Sequence, residues 1–270
     1  MGELDVIGLV PAAGQAMRMG LLPCSKEVLP LGFRLAADGQ PHSRVVCEYL
    51  LERFSRGGIT RAYVIVREGK WDIPRYLGDG HAQGLHLGYL MMRHPHGVPF
   101  TLDQARPFVA NCRVALGFPD ILFEPADAYR HLLRRHEMTG ADAVLGLFPA
   151  AEPRRMDMVD SDETGKVREI QVKPHSTVLR DTWVIAVWGK AFTAFMHELV
   201  QNWLREYAAG VQGEGFSGAH AELHVGDVVN AAIDAGLVIQ SLRFPSGRCI
   251  DVGTSQALRR VQGDWSSVEF

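Results

Sequence analysis

Val6-Ile7-Gly8-Leu9-Val10 is a nearly all-apolar run that gives way at once to Pro11-Ala12-Ala13-Gly14. A run this short and this apolar fits a strand buried on both faces and feeding a loop, the usual start of a parallel sheet. Downstream, residues 42–56 set Val45, Val46, Tyr49, Leu50 and Phe54 on one helical stripe that stops at Gly57-Gly58. Ala62-Tyr63-Val64-Ile65-Val66 then reads as a second buried strand. Strand, helix and strand at this spacing predict a βαβ unit.

The alternation continues with a strand at 114–116, a helix over 126–139 closed by Gly140, and a strand over 143–148. Residues 156–160 and 166–172, joined by Asp162-Glu163-Thr164-Gly165, predict an antiparallel hairpin that interrupts the rhythm. A strand at 184–188 precedes a helix over 191–207, whose stripe of Phe192, Phe195, Met196, Leu199 and Trp203 reads as core. Four glycines and few apolar residues over 210–220 predict a mobile loop. A helix over 225–235, a strand over 237–244 and a helix after Gly253 complete the pattern. The fold class expected is α/β: one Rossmann-like domain over 1–270, a mixed and mainly parallel sheet with helices on both faces.

Composition agrees with a globular domain and closes off other classes. The 270 residues are 47% hydrophobic and 22% charged, which excludes disordered, collagen-like and coiled-coil chains. Lys and Arg number 28 against 31 Asp and Glu, a balance that offers no broad electrostatic reason to bind a nucleic acid or an anionic membrane. No apolar run approaches the roughly 20 residues of a membrane helix. Cys24, Cys47, Cys112 and Cys249 lie far apart, without a Cys-x-x-Cys pair or zinc spacing, and read as cytosolic thiols. Glu3 and Asp5 stand where a signal peptide carries basic residues, so a cytoplasmic protein is expected.

Chemistry concentrates after the first strand. Ala12, Ala13, Gly14, Gln15 and Ala16 form a small-residue loop whose backbone N–H groups can approach phosphate oxygens, and Arg18 and Lys26 can neutralise the charge gathered there. The loop lacks the Gly-Lys-Ser/Thr ending of a Walker loop and the three glycines of a dinucleotide fingerprint. Read from composition alone, the same residues also suit a plain strand-to-helix turn with two surface cations.

This segment, with Ser25-Lys26-Glu27-Val28-Leu29-Pro30, resembles the signature of the sugar-phosphate nucleotidyltransferases, and further landmarks follow in that family's order. Leu116-Gly117-Phe118-Pro119-Asp120 resembles its strand-end aspartate, residues 167–174 its Glu-Lys-Pro element at Lys173-Pro174, and Asp251-Val252-Gly253-Thr254 its Asp-Ile-Gly-Thr element. The resemblance covers nearly the whole chain. It implies an NTP and a sugar 1-phosphate as substrates, with a nucleotide-binding part over about 1–150 and a sugar-phosphate-side part over about 151–270. Glucose 1-phosphate with dTTP or UTP is the pair it favours. It implies Arg18, Lys26 and Lys173 as phosphate-binding catalytic cations, Asp120 and Asp251 as the ligands of Mg²⁺, and a base-reading region from Gly97 to Ala105 that includes Thr101. Two carboxylates suit Mg²⁺, which takes oxygen ligands and completes its shell with phosphate and water.

Several positions depart from the family pattern. Ala16 and Met17 stand where Gly and Thr are usual, Ser25 replaces Pro, Val172 replaces Glu, and Phe118-Pro119 separates Gly117 from Asp120. Left-handed backbone at Ala16 would cost about 1 kcal/mol. These changes keep two alternatives open: a cytidylyltransferase on another phosphorylated substrate, and a weakly catalytic nucleotide or nucleotide-sugar sensor. His94-Pro95-His96 reads as a turn with exposed imidazoles rather than a metal pair, and Ser43, Ser217 and Ser246 lack a nucleophile-elbow context. The chain ends soon after its last helix, so no appended β-helix domain is expected; a homo-oligomer is compatible with everything above.

Overall fold

β1 (Val6–Pro11) sends alternate side chains to opposite faces of the sheet, Ile7 and Leu9 into one core cluster and Val10 into the other. The computed structural model describes residues 5–35, 39–209 and 222–264, and the loop expected over 210–220 lies outside these. After β1 come an antiparallel pair, β2 (Pro30–Leu35) and β3 (Pro41–Val45), then α1 (Val46–Arg56), β4 (Arg61–Val66), α2 (Asp72–Leu77) and β5 (His86–Met91). α3 (Val98–Asp103), α4 (Arg106–Val109), β6 (Arg113–Gly117), β7 (Ile121–Glu124), α5 (Ala128–Thr139) and β8 (Ala143–Pro149) follow. The remainder is β9 (Met158–Ser161), β10 (Val167–Gln171), β11 (Asp181–Trp188), α6 (Lys190–Ala208), α7 (Val225–Asp234), β12 (Ile239–Arg243), β13 (Arg248–Asp251) and α8 (Ser255–Asp264).

β6, β1, β4 and β5 lie side by side in parallel. β11 joins antiparallel between β6 and β8, β12 runs parallel to β8, and the β9–β10 hairpin attaches to β11 at Thr182 and Met158, giving nine strands. The expected mixed sheet is therefore present, and helices cover both faces. Leu50, Phe54, Ile73 and Leu132 of α1, α2 and α5 pack into one cluster; Phe100, Phe192, Met196 and Val228 of α3, α6 and α7 pack into the other. A Cβ on Gly8 would stand 2.7 Å from Phe54 Cε2, so α1 lies this close to β1 only because residue 8 is glycine.

One expected helix starts late. Residues 42–45 form part of β3, because Val45 is extended (φ −110°, ψ 161°) and its N–H donates to Glu48 Oε2 at 2.8 Å, which caps α1 at Val46. The stripe of Val46, Tyr49, Leu50 and Phe54 survives intact and fully buried. β2, β5, β7 and β13 and the short helices α2 to α4 were not foreseen. Each is four to six residues long, and at that length a strand is legible only from a nearly continuous apolar run such as those of β1 and β4.

Candidate active site

The parallel strands β1, β4, β5 and β6 all end at one edge of the sheet, and β4 and β6 flank β1 on opposite sides. Chain segments leaving β1 and its neighbours diverge there and leave a crevice, the place where open α/β sheets bind ligands. A cleft of about 640 Å³ occupies it. Ala13, Gly14, Gln15 and Ala16 form one wall with Arg18 and Lys26; Arg67 after β4, Met92 after β5, and Thr101 on α3 form another. Trp203 and Tyr207 of α6 also line it, so the second half of the chain contributes to a site that the sequence reading assigned to the first.

The loop is built for close approach. Nothing stands within 4 Å of where a Gly14 Cβ would sit, which leaves its backbone open to the cleft. Ala16 holds φ 54°, a left-handed conformation that glycine would adopt without the cost an L-residue bears. Ala12 is the exception among the loop residues singled out in the sequence. It is 1% exposed and its N–H donates to the Ile65 carbonyl oxygen at 2.8 Å, so it anchors the loop to β4 and offers no donor to a ligand.

Asp251 ends β13, and Asp120 lies in the turn just before β7, the strand that β13 pairs with. β13 runs antiparallel to β7 with Asp251 opposite Ile121, and the Val252 N–H donates to the Asp120 carbonyl oxygen at 2.8 Å. Each carboxylate faces a cation from the first loop: Asp120 is paired with Lys26 Nζ, and Asp251 Oδ2 lies 3.5 Å from Arg18 Nη2. Burial and then the neighbouring Asp120 charge push Asp251 above the usual carboxylate range. Burial alone would lower Lys26, but Asp120, Glu27 and Asp251 outweigh it and hold the ammonium above its ordinary value. Two crowded hard oxygen donors are what a divalent cation relieves, and they fit Mg²⁺. Among the described residues no group of three or more His, Cys, Asp or Glu could hold a metal, so other ligands would come from phosphate and water.

Asp120, Asp251 and Lys173 are not themselves among the residues lining the cleft; the aspartates pair with Lys26 and Arg18, which do line it, whereas Lys173 stands apart after β10. Its backbone is left-handed (φ 42°), with its N–H hydrogen-bonded to Asp157. Burial pushes the Asp157 carboxyl up, against the pull of His224 and Lys173. Thr101 is 5% exposed at the cleft wall, its Oγ1 3.5 Å from both Met92 Sδ and the Gly97 carbonyl oxygen. Gly97 is obligatory, since at φ 124° a Cβ would fall 2.1 Å from the Leu223 carbonyl oxygen.

His94 and His96 are half-buried, contrary to the exposed turn expected. The His96 ring packs 4.9 Å from both Trp203 and Tyr207 and 5.5 Å from Phe100, an apolar seat that draws the imidazole in. Glu27, paired with Lys70, and Asp72, bound to Ser25, carry no motif of their own in the sequence. Trp203 belongs to the stripe expected to be core, and Tyr207, four residues further along the same helix, carries no signal singled out in the sequence.

Residues 21–266 match the model of the nucleotidyl transferase family. The chain is 24% identical over 204 residues to a glucose-1-phosphate thymidylyltransferase of Streptomyces griseus, covering 74% of this chain and 51% of that protein. It is 27% identical over 165 residues to a mannose-1-phosphate guanylyltransferase of Mycobacterium tuberculosis, covering 61% and 43%. The chain thus spans about half the length of the curated relatives it matches. A structure described as a glucose-1-phosphate thymidylyltransferase from Bacillus anthracis, in complex with sucrose, superposes with a TM-score of 0.77 at 19% identity, covering 98% of this chain and 97% of that one. A UDP-glucose pyrophosphorylase complexed with UDP-glucose gives 0.74 at 14%, covering 97% and 98%; at such identities the likeness is one of fold. No described helix is long and apolar enough to cross a membrane. Because the family match runs through most of the length and takes in Lys26, Asp120, Lys173 and Asp251, the chain belongs to the nucleotidyl transferase family.

Proposed function

We propose that this chain transfers a nucleotidyl group from an NTP to a sugar 1-phosphate, releasing pyrophosphate and an NDP-sugar. The pairing of Arg18 and Lys26 with Asp251 and Asp120 at the cleft carries the reading, since it gathers two cations and two carboxylates beside an open small-residue loop. A sugar-phosphate oxygen would attack the α-phosphorus as the bond to the pyrophosphate oxygen breaks. The nucleophile is already an anion, so no general base or covalent enzyme intermediate is needed, and catalysis is positioning and charge stabilisation. Arg18 would hold the β- and γ-phosphates, Lys26 the α-phosphate as charge builds, and Lys173 the sugar phosphate. Asp120 and Asp251 would hold Mg²⁺, which supplies further neutralisation of phosphate charge. Residues 13–16, with Thr101 on the opposite wall, would seat the nucleotide, and the leading substrate pair is glucose 1-phosphate with dTTP or UTP.

Pyrophosphate release over a grid of NTPs and sugar 1-phosphates tests this. Turnover is expected for at least one pair, falling on the order of a hundredfold in Lys26→Ala. Tight NTP binding without turnover on any pair would instead support the sensor reading, which the left-handed Ala16 methyl favours.

A further inference from the structure

Lys26 sits between two residues that are each fastened to the same neighbouring segment. Before it, the Ser25 N–H donates to Asp72 Oδ2 at 2.6 Å and the Ser25 hydroxyl to Asp72 Oδ1 at 2.7 Å. After it, Glu27 is 1% exposed and takes both its oxygens to Lys70 Nζ, at 2.7 and 2.8 Å. Lys70 lies in the turn after β4 and Asp72 opens α2, so one short stretch grips the chain on both sides of Lys26.

The turn needs that grip. Lys26–Val28 is a single 3-10 turn, closed by Val28 N–H to the Ser25 carbonyl oxygen at 3.0 Å and by Leu29 N–H to that of Lys26 at 3.3 Å. Such a turn does not hold its shape alone, and a lysine stem adds four rotatable bonds. Asp72 also depends on Ser25 itself: a proline there, as the family resemblance expects, would have no N–H to give.

We infer that Lys70 and Asp72 are positioning residues for Lys26, gripping Glu27 and Ser25 so that the ammonium is presented at Asp120 and the phosphate loop. The inference rests on the proposed role of Lys26, but its test does not have to. Deleting Lys70 alone would strand a buried Glu27 carboxylate and endanger the fold. Gentler variants are Ser25→Pro, whose φ of −58° a proline ring accepts, Asp72→Ala, and the neutral pair Glu27→Gln with Lys70→Gln.

The first measurement needs no turnover: the rate at which an amine-acylating reagent modifies Lys26, followed by mass spectrometry with the exposed Lys190 as internal control. Lys26 is 14% exposed and ion-paired, so labelling should be slow in the parent chain and several-fold faster in each variant, with Lys190 unchanged. Unchanged Lys26 labelling in folded variants overturns the inference whatever the enzyme does. The second is a cycle in single-turnover pyrophosphate formation. Each variant should slow the step on the order of tenfold to a hundredfold beside Lys26 and have no further effect beside Lys26→Ala. Equal losses in both backgrounds would mean that the bracket supports the fold and does not act through Lys26. Absence of turnover in the parent chain would sink the proposed function while leaving the labelling result to judge the bracket.

Discussion

Ala16 and His136 show how much a single residue can report. At φ 54° an L-residue costs roughly 1–2 kcal/mol, and glycine avoids this. Glycine also gives the unfolded chain freedom worth about 0.4–1 kcal/mol, so the two effects partly cancel. Ala16→Gly should therefore leave stability unchanged or raise it by about 1 kcal/mol, read from the denaturant midpoint at constant m; a clear loss would show that the methyl is packed. His136 on α5 has a buried Nε2 without a hydrogen-bond partner, and burial, then the Arg113 guanidinium, hold its imidazole below the usual histidine pKa. The unfolded chain takes up that proton first, so stability is lost as pH falls below about 6.5 towards the folded pKa. Thermal midpoints between pH 7.5 and 5.5 should drop further for the parent than for His136→Gln; parallel curves would clear His136 of the effect.

At the scale of elements, the contact between β1 and α1 sets the geometry of the small-residue loop over 12–16, because the loop leaves β1 directly. Phe54 is 0% exposed, with its ring 4.9 Å from Tyr129 and its edge over Gly8. Gly8→Ala would place a methyl 2.7 Å from Phe54 Cε2 and 3.0 Å from the Ala62 Cβ, an overpacking that should cost about 1–3 kcal/mol. Adding Phe54→Leu should recover part of that loss, and a double-mutant cycle in urea checks it: purely additive losses would show that the clash is relieved elsewhere. This βαβ unit was legible because apolar strands and a helical stripe are local patterns. β7 and β13 were not, since their pairing joins residues 121–124 to 248–251 and no local period records it. Residues 42–45 look helical by spacing, yet strand pairing with β2 won.

Across the whole molecule, the site is assembled from segments that span the chain. Arg18 and Lys26 come from the first loop, Asp120 from beyond β6, Trp203 from α6 and Asp251 from β13. The charged groups were legible through the order of four motifs. The bracing pair Glu27–Lys70 was not, because a lysine after Gly69 looks like any surface lysine until Glu27 is seen buried beside it. A site so dispersed has a thermodynamic consequence: a ligand that bridges these segments binds only the folded chain, and its binding energy adds to global stability. An NTP with a divalent cation at a hundred times its Kd should stabilise by about 2.7 kcal/mol, which for a domain of this size raises Tm by roughly 5–10 °C. Chelating the cation should remove much of that shift. Asp120→Asn should do the same while lowering the midpoint of the protein alone by no more than a few degrees, since it keeps the backbone carbonyl oxygen that accepts from Val252. Scanning calorimetry over four NTPs, each with and without EDTA, would show which base gives the largest shift and so which nucleotide the cleft prefers. Equal, cation-independent shifts for all four, or none, would remove the cleft beyond the ends of β1, β4 and β5 as the nucleotide site.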